Sequence, residues 1–71
     1  MIDKLINDLD VLNEYDKENY QQLHYMKIEA VSKQGSDEGA ALIDGRWIPK
    51  SQMKCDFDKN IYLTLWMYSK L

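Results

Sequence analysis

A chain of 71 residues has room for one small domain, and its stability must come from apolar packing: Cys55 is the only cysteine and His24 the only histidine, which excludes an internal disulfide and a His/Cys metal cluster. Apolar residues make up 45% of the chain and eight residues are aromatic, a composition too rich in core formers for a disordered protein. The net charge of −3 is uneven, with six acids and two lysines in residues 1–22 (−4) against six acids and seven basic residues in 23–71 (+1). This balance argues against a general DNA binder while leaving room for a local basic face.

The N-terminal MIDKLINDLD carries acids through its apolar positions, unlike a signal peptide, and no run approaches the ~18 apolar residues of a membrane span, so the expected location is the cytoplasm. Ile2, Leu5, Ile6, Leu9 and Leu12 recur at helical spacing, with Asp3, Asn7, Asp10 and Glu14 facing away. The expectation is an acidic helical arm over about 1–22, favoured to be bent or broken near Asn13–Asp16, where Asp16 could cap a second turn through Gln22 or the first helix could simply continue. From about Leu23 the period changes to two. Met26, Ile28 and Ala30 alternate with Tyr25, Lys27, Glu29 and Val31, the pattern of a strand with one buried face.

Gln34–Glu38 is turn chemistry, and Gly39–Ile43 reads as a second strand. Asp44-Gly45 is the favoured two-residue hairpin loop, since a type I′ turn needs positive φ at both central positions. That loop sets the register: Ile43 opposite Arg46, Leu42 opposite Trp47, Ala41 opposite Ile48 and Ala40 opposite Pro49. Pro49 lacks a donor and marks an edge or the end of pairing. Lys54–Asn60 reads as a polar connection and Ile61–Leu65 as a fourth strand; the tail LWMYSKL reads either as more strand or, the preferred reading, as a short helix beginning at a Thr64 cap. The expected core is Leu5, Leu9, Leu12, Met26, Ile28, Ala41, Leu42, Trp47, Ile48, Ile61, Leu63 and Leu65.

With Ala41-Leu42 before it and Ile61-Tyr62-Leu63 and Trp66 after it, the string Trp47-Ile48-Pro49-Lys50-Ser51-Gln52 resembles one found in small phage and prophage proteins that have no assigned activity. The resemblance covers roughly residues 28–71 and omits the acidic arm; Leu65 stands where those proteins often carry an acid. It implies a phage or mobile-element origin and a small curved sheet, and it brings no catalytic residues.

Arg46, Lys50 and Lys54, with Lys59 and the aromatics Trp47 and Tyr62, are the mixture that grips single-stranded nucleic acid by stacking and phosphate pairing. The same residues also read as a core Trp with a solvated lysine rim. The acids of the arm either imitate spaced phosphates or form the wet side of an amphipathic helix. Two Trp, five Tyr and four Met exceed what a small sheet and one helix can bury, and these types are enriched at protein interfaces. Catalytic chemistry has little to build on. Cys55 and His24 lack a surrounding motif, Asp56 and Asp58 lack a third ligand, the three glycines form no phosphate loop, and a sequestered pocket of ~300 Å³ is hard to fit.

Together these readings predict an α+β domain over 1–71: an N-terminal amphipathic helix packed on a small, strongly bent antiparallel sheet of about four strands. The expected role is that of a phage-encoded, non-enzymatic protein that binds a larger host protein and inhibits a bacterial defence nuclease such as a CRISPR effector. Asp10, Glu14, Tyr20, Trp66 and Tyr68 are its expected contacts, and no metal or cofactor is required. Two alternatives remain open: a single-stranded nucleic-acid-binding module using Arg46, Lys50 and Lys54, or a small homo-oligomeric assembly protein.

Overall fold

Helix α1 (Ile2–Asp8) begins the computed structural model, which describes residues 2–71; Met1 and the side chain of Ile2 lie outside the described residues. The helix is shorter than its leucine spacing predicts. Leu9 N–H donates back to Ile6 O at 3.2 Å, closing the last turn, and the next residues give their backbone groups to a strand instead. Leu12 N–H donates to Cys55 O (2.7 Å), Cys55 N–H donates to Asp10 O (3.0 Å), and Val11 forms a parallel bridge to Cys55. Leu5, Leu9 and Leu12 are all buried, so the stripe does reach the interior, but only Leu5 does so from a helix.

Glu14–Asn19 is a 3₁₀ turn, capped by Asn13 rather than Asp16: the Asn13 side chain accepts from Tyr15 N–H at 2.9 Å. The expected arm to residue 22 is corrected further by β1 (Tyr20–Leu23), an extended segment paired antiparallel with the C-terminal strand. After it come β2 (Ile28–Val31), β3 (Ala40–Ile43), β4 (Arg46–Pro49), a 3₁₀ turn (Lys50–Gln52), β5 (Met53–Cys55), β6 (Ile61–Thr64) and helix α2 (Leu65–Tyr68).

The strands form two antiparallel sheets of three, ordered β1-β6-β5 and β2-β3-β4, rather than one sheet of about four. Mixed α+β is the class. The β3–β4 hairpin has the register expected from Asp44-Gly45, with φ of 50° and 81° at those residues. In β2 the register slips between Ile28 and Ala30, so Ile28 and Val31 are buried where strict alternation names Ile28 and Ala30. Gly39 (φ 86°) lets the β2–β3 loop close against Ser32; a Cβ there would lie 2.5 Å from Ser32 Oγ. Thr64 caps α2, accepting from Met67 N–H at 3.1 Å.

One core serves both sheets. Leu23, Met53, Cys55, Ile61 and Leu63 meet Ile28, Val31, Ala41, Ile43 and Ile48, with Leu5 and Leu9 joining them. Complete burial of Leu5, Ile48, Ile61 and Leu63 is worth ~1.5–3 kcal/mol per side chain. Four expected core residues lie elsewhere. Met26 sits in the β1–β2 link and is 94% exposed, Trp47 and Leu65 are about half exposed, and Leu42 is half-buried on the outer face. Because Leu42 pairs with Trp47 while Ala41 pairs with Ile48, only one of the two pairs can face inward, and the smaller Ala41 permits closer packing of the sheets.

Candidate functional site

Cys55 and His24 do not form a catalytic dyad. Cys55 ends β5 and His24 directly follows β1, the two edge strands of the β1-β6-β5 sheet, with β6 between them. The Cys55 thiol lies in the core, 3.6 Å from Asp10 O; burial first, then the charges of Asp56 and Asp10, push its pKa up and disfavour the thiolate. Asp56 holds the β5–β6 turn. Its carboxylate accepts from Asp58 N–H (2.9 Å), Asn60 N–H (2.8 Å), Asn60 Nδ2 (3.0 Å) and Tyr62 OH (3.4 Å). Burial works against its charge, but these donors together hold the carboxyl below the ordinary carboxylate range.

The basic and aromatic residues proposed for nucleic acid do not all share one face: Lys54 and Tyr62 are cross-strand partners in the β1-β6-β5 sheet, while Arg46 and Trp47 lie on β4 of the other sheet. Lys50 is a correction: its residue is 3% exposed and its ammonium donates to Asp8 Oδ2 (2.8 Å), Lys33 O (3.1 Å) and Ser36 O (3.0 Å), leaving no donor for a phosphate. Lys54 lies on the outer face of the other sheet, 5.9 Å above the Tyr20 ring, and Lys59 pairs with Asp3. Arg46 alone of the group stands exposed at the mouth of a cleft.

The residues expected to meet a protein partner are also dispersed. Asp10 follows β5 at one edge of its sheet, Glu14 lies in the first 3₁₀ turn, and Tyr20 is half-buried in β1 at the opposite edge. Trp66 and Tyr68 share α2. Trp66 is 61% exposed with the Lys70 ammonium 4.7 Å from its ring, and Tyr68 turns to the cleft.

That cleft, about 440 Å³ and open to solvent, is a feature the sequence did not signal; the expectation there concerned only a sequestered pocket, which this open concavity is not. Its apolar floor is Leu23, Ile43 and Ile48; Arg46, His24 and Tyr68 stand around it, with Leu71 at the rim. The hairpin turn places Ile43 and Arg46 side by side, but His24 comes from the link that follows β1, and what brings the two segments together is Asp44. Its carboxylate accepts from Met26 N–H (3.0 Å) and Lys27 N–H (2.9 Å), while Asp44 N–H donates to Lys27 O (3.0 Å). Asp44 is therefore committed to backbone donors, and Arg46 is the uncommitted charge of the cleft.

Among the described residues, no group of three or more His, Cys, Asp or Glu is placed to hold a metal, and no helix is long and apolar enough to cross a membrane. The chain matches no family model, no curated protein and no solved structure.

Proposed function

We propose that the protein is a phage-encoded, non-enzymatic binding protein that works in the host cytoplasm as a stoichiometric inhibitor of a bacterial defence nuclease. The observation that carries this reading is the C-terminal helix. Four residues long and fixed by the Thr64 cap, it presents Trp66 and Tyr68 to solvent beside an open cleft, where a domain of this size gains nothing for its own core. The phage resemblance around Trp47–Gln52 supplies the class of partner, and the burial of Lys50 turns the reading away from nucleic acid as the direct ligand. An inhibitor blocks a site by covering ~800 Å² on each side, about a sixth of this molecule's 4708 Å² surface.

The test is capture of partners from a lysate of defence-bearing bacteria by the tagged protein, before and after nuclease treatment. One large partner should survive nuclease, and Trp66→Ala with Tyr68→Ala should weaken its capture by about tenfold or more. Asp10→Lys and Glu14→Lys, on other parts of the surface, should have smaller effects. Capture that disappears with nuclease would overturn the proposal in favour of nucleic acid.

A further inference from the structure

The β5–β6 turn carries a feature that neither the fold nor the proposed inhibitory role uses. Phe57 is 89% exposed at its tip, in a turn that is anything but loose: Asp56 N–H donates to Asn60 O (3.1 Å), Lys59 N–H donates to Asp56 O (3.2 Å), and the Asp56 carboxylate binds two further backbone N–H groups. The turn therefore holds out an aromatic ring at little conformational cost on binding. Beside it, the exposed Asp58 contributes its own backbone N–H to the Asp56 network, and its carboxylate has no partner among the described residues. The tip is one apolar knob next to one carboxylate.

The cleft offers the complement. Its floor of Leu23, Ile43 and Ile48 is apolar, its volume of about 440 Å³ accommodates an aromatic ring, and Arg46 is positioned to meet a carboxylate. A molecule of net charge −3 thus leaves a cation as the uncommitted side-chain charge at this cleft. Knob and cleft also lie at the same end of the molecule. Cys55 pairs with Ile61 and Ile61 with Leu23, so the end of β5, which enters the turn, and the end of β1, which lines the cleft, are two strand spacings apart, ~10 Å.

We propose that two copies of the chain associate about a two-fold axis, each inserting Phe57 into the other's cleft and setting Asp58 against the other's Arg46. Because knob and socket share one end, a single two-fold axis is able to bring both pairs together, and the exchange so formed closes as a dimer instead of growing into a filament. Each aromatic buries ~150–250 Å², so the pair of contacts falls below the area of a standard interface and the dimer is weak, forming in the micromolar to millimolar range. This inference does not rest on the inhibitory role.

Sedimentation equilibrium from about 10 μM to about 1 mM tests it, that range bracketing weak association. The full chain should pass from monomer to dimer and stop there. Phe57→Ala and Arg46→Glu should each weaken dimerisation by about tenfold or more, and both residues are exposed, so the folded spectrum should be retained. The double variant Arg46→Glu/Asp58→Lys reverses both charges and should recover dimerisation relative to Arg46→Glu alone. A wild-type chain that stays monomeric throughout would overturn the proposal. So would a dimer indifferent to Phe57→Ala, or a charge-reversed double variant no better than the single one.

Discussion

Helix α1 is tied to the β structure at both ends by an ion pair of the same chemistry, and the two pairs differ in almost everything that matters. At its start, Lys59 Nζ meets Asp3 Oδ1 at 2.7 Å with side chains 59% and 72% exposed. At its end, Lys50 Nζ meets Asp8 Oδ2 at 2.8 Å with side chains 0% and 3% exposed. The distances are nearly equal, so geometry alone would rate them alike. Water decides otherwise. The exposed pair is screened and loses little when broken. The buried ammonium has exchanged its hydration for one carboxylate and two carbonyls, and Asp8 also accepts Gly35 N–H at 3.0 Å. Through this node, α1, the β2–β3 loop and the end of β4 depend on one another.

The largest expected effect comes from breaking the buried node. Lys50→Met should lower unfolding free energy by ~3–5 kcal/mol, since Asp8 would be left charged without its partner; in a domain this small that is much of the total stability. Urea denaturation measures it. Asp8→Leu combined with Lys50→Met should be more stable than Lys50→Met alone, because the stranded charge goes with its partner. A double variant as unstable as the single would mean that the pair holds the fold by attraction and not by mutual satisfaction.

Asp56 lies between the two extremes, half-buried and surrounded by donors. Its carboxyl is held below the ordinary range in the folded protein, so the ionised form favours folding. That contribution is complete above the unfolded carboxyl value, about pH 4, and is lost as pH falls through the lower folded value. Asp56→Asn should therefore be less stable than the wild type at neutral pH, with the gap shrinking as the solution is acidified below about pH 4. A gap independent of pH would show that the turn depends on shape and not on charge.

The smallest effect belongs to the exposed pair. The hydrogen bond from Lys59, and then its charge, lower the pKa of Asp3, and Asp3 raises that of Lys59 in turn, but both groups stand in solvent. Lys59→Gln should give a urea curve that superimposes on the wild type at physiological salt. A clear loss of stability would put the two pairs on the same footing and dissolve the contrast.

How much was legible in the chain follows the same division between near and far. The β3–β4 hairpin was readable residue by residue, because Asp44 and Gly45 select the turn and the turn sets the register of the eight residues around it. The Thr64 cap was the preferred of two readings of the tail, and it holds because donor and acceptor lie three residues apart. The N-terminal arm was misread where its partner is distant. Leu9 and Leu12 keep helical spacing, yet the backbone of residues 10–12 is claimed by Cys55, more than forty positions along, and Tyr20–Leu23 is claimed by β6. The β2 pattern failed at the slip between Ile28 and Ala30, a feature of pairing that alternation cannot encode.

The cleft shows the same limit: Asp44 was seen as a turn residue, but its grip on Met26 and Lys27, which carries His24 toward Arg46, depends on strands that meet only in the folded chain. Sequence by itself determined the mixed α+β class and the hairpin with its register, and it favoured the capped C-terminal helix over a longer strand, all through interactions within a few residues. Tertiary structure alone decided that Lys50 would be interior, Trp47 exterior and Tyr20–Leu23 a strand. The value of those side chains and backbone groups is set by partners far along the chain, and a lysine, a tryptophan or a leucine carries no local mark of which partner it will meet.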